Sequence, residues 1–249
     1  MSALQSHMRR AAAAGRATEQ VGPFLATFSP GSTNPFLNYA IPDDGAEPSR
    51  SDVDGLTHAY ARRDLLPRVE FLVDTAPAAE AALLAAGWSV ERRIPVMLCP
   101  PGSAVAIPAP AGIELVVPDT DDEIRGMIAA QYEAFDQPVT VSTADIATAR
   151  ERIHAGGFAV LARDASTGEA AGGGVAEAVA DGTSEVAGIG VRSLFRKRGI
   201  GAAMTAFLTV AVHGAGGRTV FLTPAGVPEQ RMYARAGYAP AGDMVHLSR

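Results

Sequence analysis

The sequence predicts an α/β protein with a mixed, mostly antiparallel β-sheet flanked by helices, preceded by a partial second copy of the same fold. Three observations carry this expectation. The C-terminal half alternates segments in the order strand, two helices, three strands, helix, strand, helix, strand, and three consecutive strands favour hairpins over parallel crossovers. A proline-rich stretch, with Pro100, Pro101, Pro108 and Pro110 set among small residues, reads as an extended linker. The two halves also share a register at a constant offset of 150 residues: Phe71-Leu72 matches Phe221-Leu222, Gly87-Trp88 matches Gly237-Tyr238, and Ala40-Ile41 falls opposite Gly190-Val191. The expected organisation is therefore 1–100, a linker over 101–111, and a complete domain over 112–249.

Each element of the C-terminal half has a local reason. Ile113 to Val117 is an apolar, β-branched run stopped by Pro118. Asp119-Thr120-Asp121-Asp122 caps a helix running to about Asp136, and Ser142-Thr143 opens a second that ends at Gly156-Gly157. Phe158 to Arg163 is a strand. Glu169 to Ala180 and Glu185 to Val191 are two more, joined at Asp181-Gly182. A helix over Ala202 to His213, a strand over Thr219 to Thr223, a helix over Pro228 to Ala236 and a strand over Asp243 to Leu247 complete the series.

Composition narrows the function. The chain has 249 residues, 47% of them hydrophobic and 19% charged, which suits a folded globular protein. A net charge of −6 argues against a general nucleic-acid binder, which needs a basic face. Cys99 is the only cysteine, so no intrachain disulfide or thiolate zinc cluster can form, and a reducing cytoplasm is the expected location. The five histidines show no ligand spacing, so no metal is expected. Residues 1–15 imitate the charged start of a signal peptide, but Gly15-Arg16 ends the apolar stretch too early. They are expected to be a frayed tail. No run is long enough to suggest a membrane span.

The most informative segment is Arg196-Lys197-Arg198-Gly199-Ile200-Gly201, between a strand and a helix that opens at Ala202. The unpaired N–H groups and dipole of a helix start attract an anion, and glycines let the backbone approach closely. Three consecutive basic residues in an acidic protein focus positive potential there. The loop is thus suited to a pyrophosphate. No P-loop string occurs. Gly188-Ile189-Gly190 begins like a dinucleotide fingerprint, but Ser193 stands where the third glycine belongs.

This loop resembles the signature of the GNAT superfamily of N-acetyltransferases: Gln or Arg, two residues, Gly, any residue, Gly or Ala, standing here as Arg196, Gly199 and Gly201. Val191 matches the apolar residue that ends the family's fourth strand. Met232-Tyr233-Ala234-Arg235-Ala236-Gly237-Tyr238 resembles its late helix motif. The resemblance implies acetyl-CoA as cosubstrate, held by the backbone of Ile189, Gly190 and Val191 and by the loop from Arg196 to Ala202. It implies that the Val191 N–H stabilises the oxyanion, that Tyr233 protonates the departing thiolate, and that Glu185 serves as general base. Tyr132 and Glu133 lie where the family's first helices meet the acceptor. One departure is Gly226, where the family often has asparagine.

The implied reaction is acetyl transfer to a primary amine, small-molecule or peptide, by direct attack in a ternary complex; a non-catalytic acyl-CoA-binding or regulatory module is the alternative. A lysine-like amine must lose a proton at a cost of about 4.6 kcal/mol at pH 7, so a base should matter more than an acid. At the offset of 150 the loop falls on Ala46-Glu47-Pro48-Ser49-Arg50-Ser51, which has no glycine and lies near Asp43 and Asp44. The N-terminal half is therefore expected to hold no cofactor. A homodimer is compatible with the sequence, and neither nucleic acid nor membrane is an expected partner.

Overall fold

The computed structural model describes residues 2–249, with side chains from Leu4 onward. The chain divides into two compact units, one comprising residues up to Val96 together with Ala241–Arg249, the other Met97–Pro240.

In the first unit, helix α1 (Ser2–Ala13) precedes β1 (Ala17–Val21), β2 (Phe24–Phe28), β3 (Ala40–Pro42), α2 (Arg50–Ala61), β4 (Arg68–Leu72), α3 (Pro77–Ala85) and most of β5 (Ser89–Cys99). Strands β1, β2 and β3 pair antiparallel, β3 pairs parallel to β4, and β4 pairs antiparallel with β11 (Ala239–Ser248) from Met244 to Ser248. Phe24, Ile41, Leu56, Tyr60, Phe71 and Leu83 form the core. The expected frayed tail is instead helix α1, which docks because Gln5 is a buried bridge. Its amide donates to Pro42 O at 3.1 Å and its oxygen accepts from Leu72 N–H at 3.1 Å, while Leu4 and Ala12 are buried beside it.

The second unit contains β6 (Ile113–Val116), α4 (Asp121–Ala134), α5 (Thr143–His154), β7 (Phe158–Asp164), β8 (Ala170–Ala176), β9 (Thr183–Val191), α6 (Ile200–Gly214), β10 (Thr219–Leu222) and α7 (Val227–Arg235). Strands β6 to β9 form an antiparallel meander. Strand β10 then runs parallel to β9, and Met97–Cys99 of β5 pair antiparallel to β10. Each expected element is present within a few residues of its expected bounds. The starts of α4 and α5 follow from capping boxes, Thr120 with Glu123 and Ser142 with Asp145, which satisfy N–H groups the helix leaves unpaired. The proline-rich stretch packs in this unit: Val105 N–H donates to Ala236 O at 3.2 Å, and Ala104 and Ile107 rest on its core.

The repeat is visible in the backbone. Helices α3 and α7 begin and end 150 residues apart. Each closes in the same way, Trp88 N–H donating to Leu83 O at 3.1 Å and Tyr238 N–H to Tyr233 O at 3.2 Å. The sheet order also recurs, since β3 lies parallel to β4 as β9 lies parallel to β10.

Candidate active site

Strand β9 positions the site because it is interrupted. Gly173 pairs with Gly190 and Val175 with Ala187, so two residues of β9, Gly188 and Ile189, oppose Gly174 alone. That is a β-bulge. Gly188 takes a left-handed φ of +62°, which glycine adopts without a side-chain clash, and its carbonyl accepts from Gln131 Nε2 of α4 at 2.8 Å. Beyond the bulge the strand's other edge is free of β10, whose pairing reaches only from Thr219–Thr183 to Phe221–Glu185. Arg192 N–H donates to Ala171 O on β8 at 3.0 Å. Strand alternation therefore turns the Val191 N–H and C=O toward the opposite, splayed edge.

Helix α4 can approach this strand closely because the surface beneath it is bare. A Cβ on Gly173 would lie 2.8 Å from Met127 O, and one on Gly190 would lie 2.9 Å from Ala134 Cβ. On the other face, a Cβ on Gly174 would lie 2.5 Å from Ile189 Cδ1. The run Gly172-Gly173-Gly174 is thus a packing surface at backbone distance.

The basic loop leads from β9 into α6. Lys197 has φ +62° and Gly199 φ +88°, so the chain turns sharply as the loop enters α6. Helices α2, α4 and α5 carry capping boxes with an acidic residue in the first turn; α6 has neither a side-chain cap nor a first-turn acid. Its N–H groups and dipole therefore remain available to a ligand. Lys197, Arg198 and Gly199 are exposed. Arg198 donates to Ala111 O at 3.3 Å. Arg196 bridges Val191 O at 3.1 Å and Ala134 O at 3.2 Å, so its guanidinium braces the loop against β9 and α4. Ile200 and Ala202 are buried, and a Cβ on Gly201 would lie 2.8 Å from Met232 Sδ, which brings α7 close to α6. At the matching place in the first unit, α2 is closed by its own Ser49–Asp52 capping box.

Tyr233 is buried in the core beside α6, in one cluster with Phe195 and Ile200 and against Ile189 and Val191. Burial, with Glu229 nearby, pushes its hydroxyl up to about 12. Glu185 occupies the other face. Val186 points into the α6-side core, so the side chains of its neighbours Glu185 and Ala187 project toward α4 and α5. Desolvation first, and repulsion from Glu177 second, push the Glu185 carboxyl up to about 7. The two candidate catalytic groups thus flank β9.

Tyr132 and Glu133 diverge. Tyr132 lines a cavity beside the bulge, and its hydroxyl bonds to Asp145. Glu133 accepts from Arg192 Nε at 2.6 Å and from Ser193 N–H at 3.3 Å, tying α4 to the end of β9. Neither Glu177 nor Gln131 lies in a motif of the sequence. The Asp181-Gly182 turn could have located Glu177, since a tight hairpin there sets Glu177 opposite Glu185, and Glu177 N–H donates to Glu185 O at 2.9 Å. Among the described residues no group of three or more His, Cys, Asp or Glu side chains could hold a metal ion, and no helix is long and apolar enough to cross a membrane.

Residues 117–238 match the model of the acetyltransferase (GNAT) family. A solved GCN5-related N-acetyltransferase from Kribbella flavida is 25% identical, with a TM-score of 0.82 over 99% of this chain and 94% of its own. Another from Sphaerobacter thermophilus is 17% identical, with a TM-score of 0.70 over 92% and 80% of the two chains. A tandem GNAT protein from the clavulanic acid biosynthesis pathway is 16% identical, with a TM-score of 0.67 over 94% and 83%. These last two share the fold. No curated protein matches the chain.

Proposed function

We propose, from the match of residues 117–238 to the acetyltransferase (GNAT) family, that this protein is an acyltransferase that moves an acetyl group from acetyl-CoA to a primary amine by direct attack in a ternary complex. The observation that carries the reading is the open N-terminus of α6. It has no side-chain cap or first-turn acid of its own and follows a loop in which Lys197 and Arg198 are exposed, beside a strand edge that β10 leaves free.

Acetyl-CoA supplies an acetyl group activated as a thioester. Its pyrophosphate is an anion of the kind that the N–H groups from Gly199 to Ala202 and the charges of Lys197 and Arg198 attract. The free edge of Ile189–Val191 offers strand-like pairing to its amide-bearing arm, and the Val191 N–H donates to the developing negative charge on the thioester oxygen. Glu185 takes the proton of the ammonium form; half ionised near pH 7, it is matched to base work at neutrality. Tyr233, whose hydroxyl stays protonated throughout the neutral range, returns a proton to the thiolate. Cys99 lies buried at the end of β5, and the route assigns it no part.

Calorimetry with acetyl-CoA, followed by thiol release across a panel of amines, tests this. The expected result is saturable binding and amine-dependent thiol release. Binding with no release for any amine would leave a non-catalytic acyl-CoA-binding module; absence of binding would overturn the reading.

A further inference from the structure

The second unit encloses a cavity of about 700 Å³ between α4 and α5 and the ends of β8 and β9. Met127, Ile128, Ile153, Phe158 and Val175 make it largely apolar, and its inner end is Ala187-Gly188, at the bulge. The polar groups facing it are Gln131 and Tyr132 from α4, Asp145, Thr148 and Arg152 from α5, and Glu177 just past β8. Glu185 stands directly across from Glu177 on the neighbouring strand and projects to the same face. Glu177 and Glu185 therefore stand side by side on adjacent strands, while Asp145 and the exposed Arg152 line the cavity from α5.

We infer that this cavity is the acceptor site, and that its acceptor is a small cationic amine with an apolar body, its ammonium group received between Glu177 and Glu185. This rests on the acetyl-transfer reading above. The volume suits a molecule of roughly drug-like size or smaller. The mainly apolar wall favours a hydrocarbon or aromatic body over a polyhydroxylated one, which would lose most of its water there. The acidic balance disfavours amines that also carry a carboxylate or phosphate.

The chemistry balances. The ammonium gives one proton to the Glu185 carboxylate, and the freed lone pair forms the C–N bond at the thioester carbon. The C–S bond breaks as the tetrahedral adduct collapses, and the second nitrogen proton is lost while the thiolate gains one from Tyr233. The products are an amide, the free thiol and one net proton. In this scheme Glu177 is a specificity-determining residue. Its charge attracts the ammonium and raises the carboxyl of Glu185, which keeps the base from ionising too readily.

The test compares kcat/KM for 2-phenylethylamine, phenylalanine and glucosamine, using wild type, Glu177→Gln and Glu177→Asp, with acetyl-CoA affinity measured by calorimetry. The wild type should prefer 2-phenylethylamine over both other amines by about tenfold or more, and Glu177→Gln should raise its KM by about tenfold. The acid limb of kcat/KM should move below pH 7 in Glu177→Gln, with acetyl-CoA affinity unchanged; Glu177→Asp should restore part of the loss. A merely structural Glu177 would move stability but not this limb. Preference for glucosamine or phenylalanine, or an unchanged KM and acid limb in Glu177→Gln, overturns the inference while leaving acetyl transfer standing. Failure of the wild type to bind acetyl-CoA overturns both.

Discussion

In the proposed reaction Glu185 and Tyr233 divide the proton transfers between the two faces of one strand, and their environments suit that division. A base works when ionised, so kcat/KM should rise with pH through about 7 in the wild type, following the raised Glu185 carboxyl. Glu185→Gln should abolish that limb. Its deficit should be largest just above pH 7 and shrink at high pH, where the amine loses its own proton. An acid limb retained in Glu185→Gln would assign it to another group. Tyr233→Phe should lower kcat by about 100-fold in steady-state assays with little change in KM; a kcat within twofold or so of wild type would remove Tyr233 from the mechanism. Both candidates came from the likeness of their surroundings to the family's motifs, which lie close together along the chain. Glu177 was not legible in this way, because its meaning comes from the residue across the hairpin. Arg196 shows the same limit: its place in the loop was readable, but its guanidinium bonds to Val191 and Ala134 carbonyls depend on where α4 ends.

Among the elements, β9 and α6 frame the candidate site. Helix α6 is left uncapped where α2, α4 and α5 are closed by their own side chains, and this contrast could be read from the residues before each helix. The bulge in β9 was less legible. Gly172-Gly173-Gly174 could be taken as a bulge, a close approach or mere composition. The structure selects close approach for that run and puts the bulge on the partner strand, at Gly188-Ile189. Gly188→Ala should destabilise the fold by about 1–2 kcal/mol, because φ near +60° is costly for a residue with a Cβ. That Cβ would also lie 2.7 Å from Gln131 Nε2, so the bond holding the bulge should be disturbed and acetyl-CoA affinity should fall. Urea unfolding and calorimetry together check this. An unchanged midpoint and affinity would mean that β9 relaxes without the glycine.

At the scale of the whole molecule, the chain is built twice but is not divided in order. Residues 241–249, expected to close the C-terminal half, lie in the first unit, while Met97–Cys99 and the proline-rich stretch lie in the second. In consequence, the last strand brings His246 beside the buried Arg68. Arg68 Nη2 lies 2.7 Å from His246 Nδ1, and since a guanidinium only donates, that nitrogen accepts and the ring is neutral. Burial first, then Arg92 and Arg68, hold its pKa down to about 3. The unfolded chain takes up this proton near pH 6.5, the folded one only near pH 3, so stability is full above 6.5 and falls as the pH drops between the two values. From pH 7 to pH 5 this one group should cost about 2 kcal/mol. Denaturant titrations at both pH values should show that loss in the wild type and less of it in His246→Gln; equal losses would place the acid sensitivity elsewhere.

What the sequence determined by itself was whatever short-range chemistry specifies: the element order, the capped helix starts, the basic loop at an uncapped one, and the doubling at an offset of 150. Apolar periodicity, turn residues and caps act over a few positions, so they survive in the order of the letters. The tertiary structure alone decided which strand lies beside which, how far β9 and β10 stay together, and that α1 is anchored through Gln5. It also decided that Glu177 and Glu185 stand opposite one another on adjacent strands, with Glu177 at the edge of a cavity. Those outcomes depend on pairing and packing between residues far apart in the chain, where a shift of a single register position turns a side chain to the opposite face.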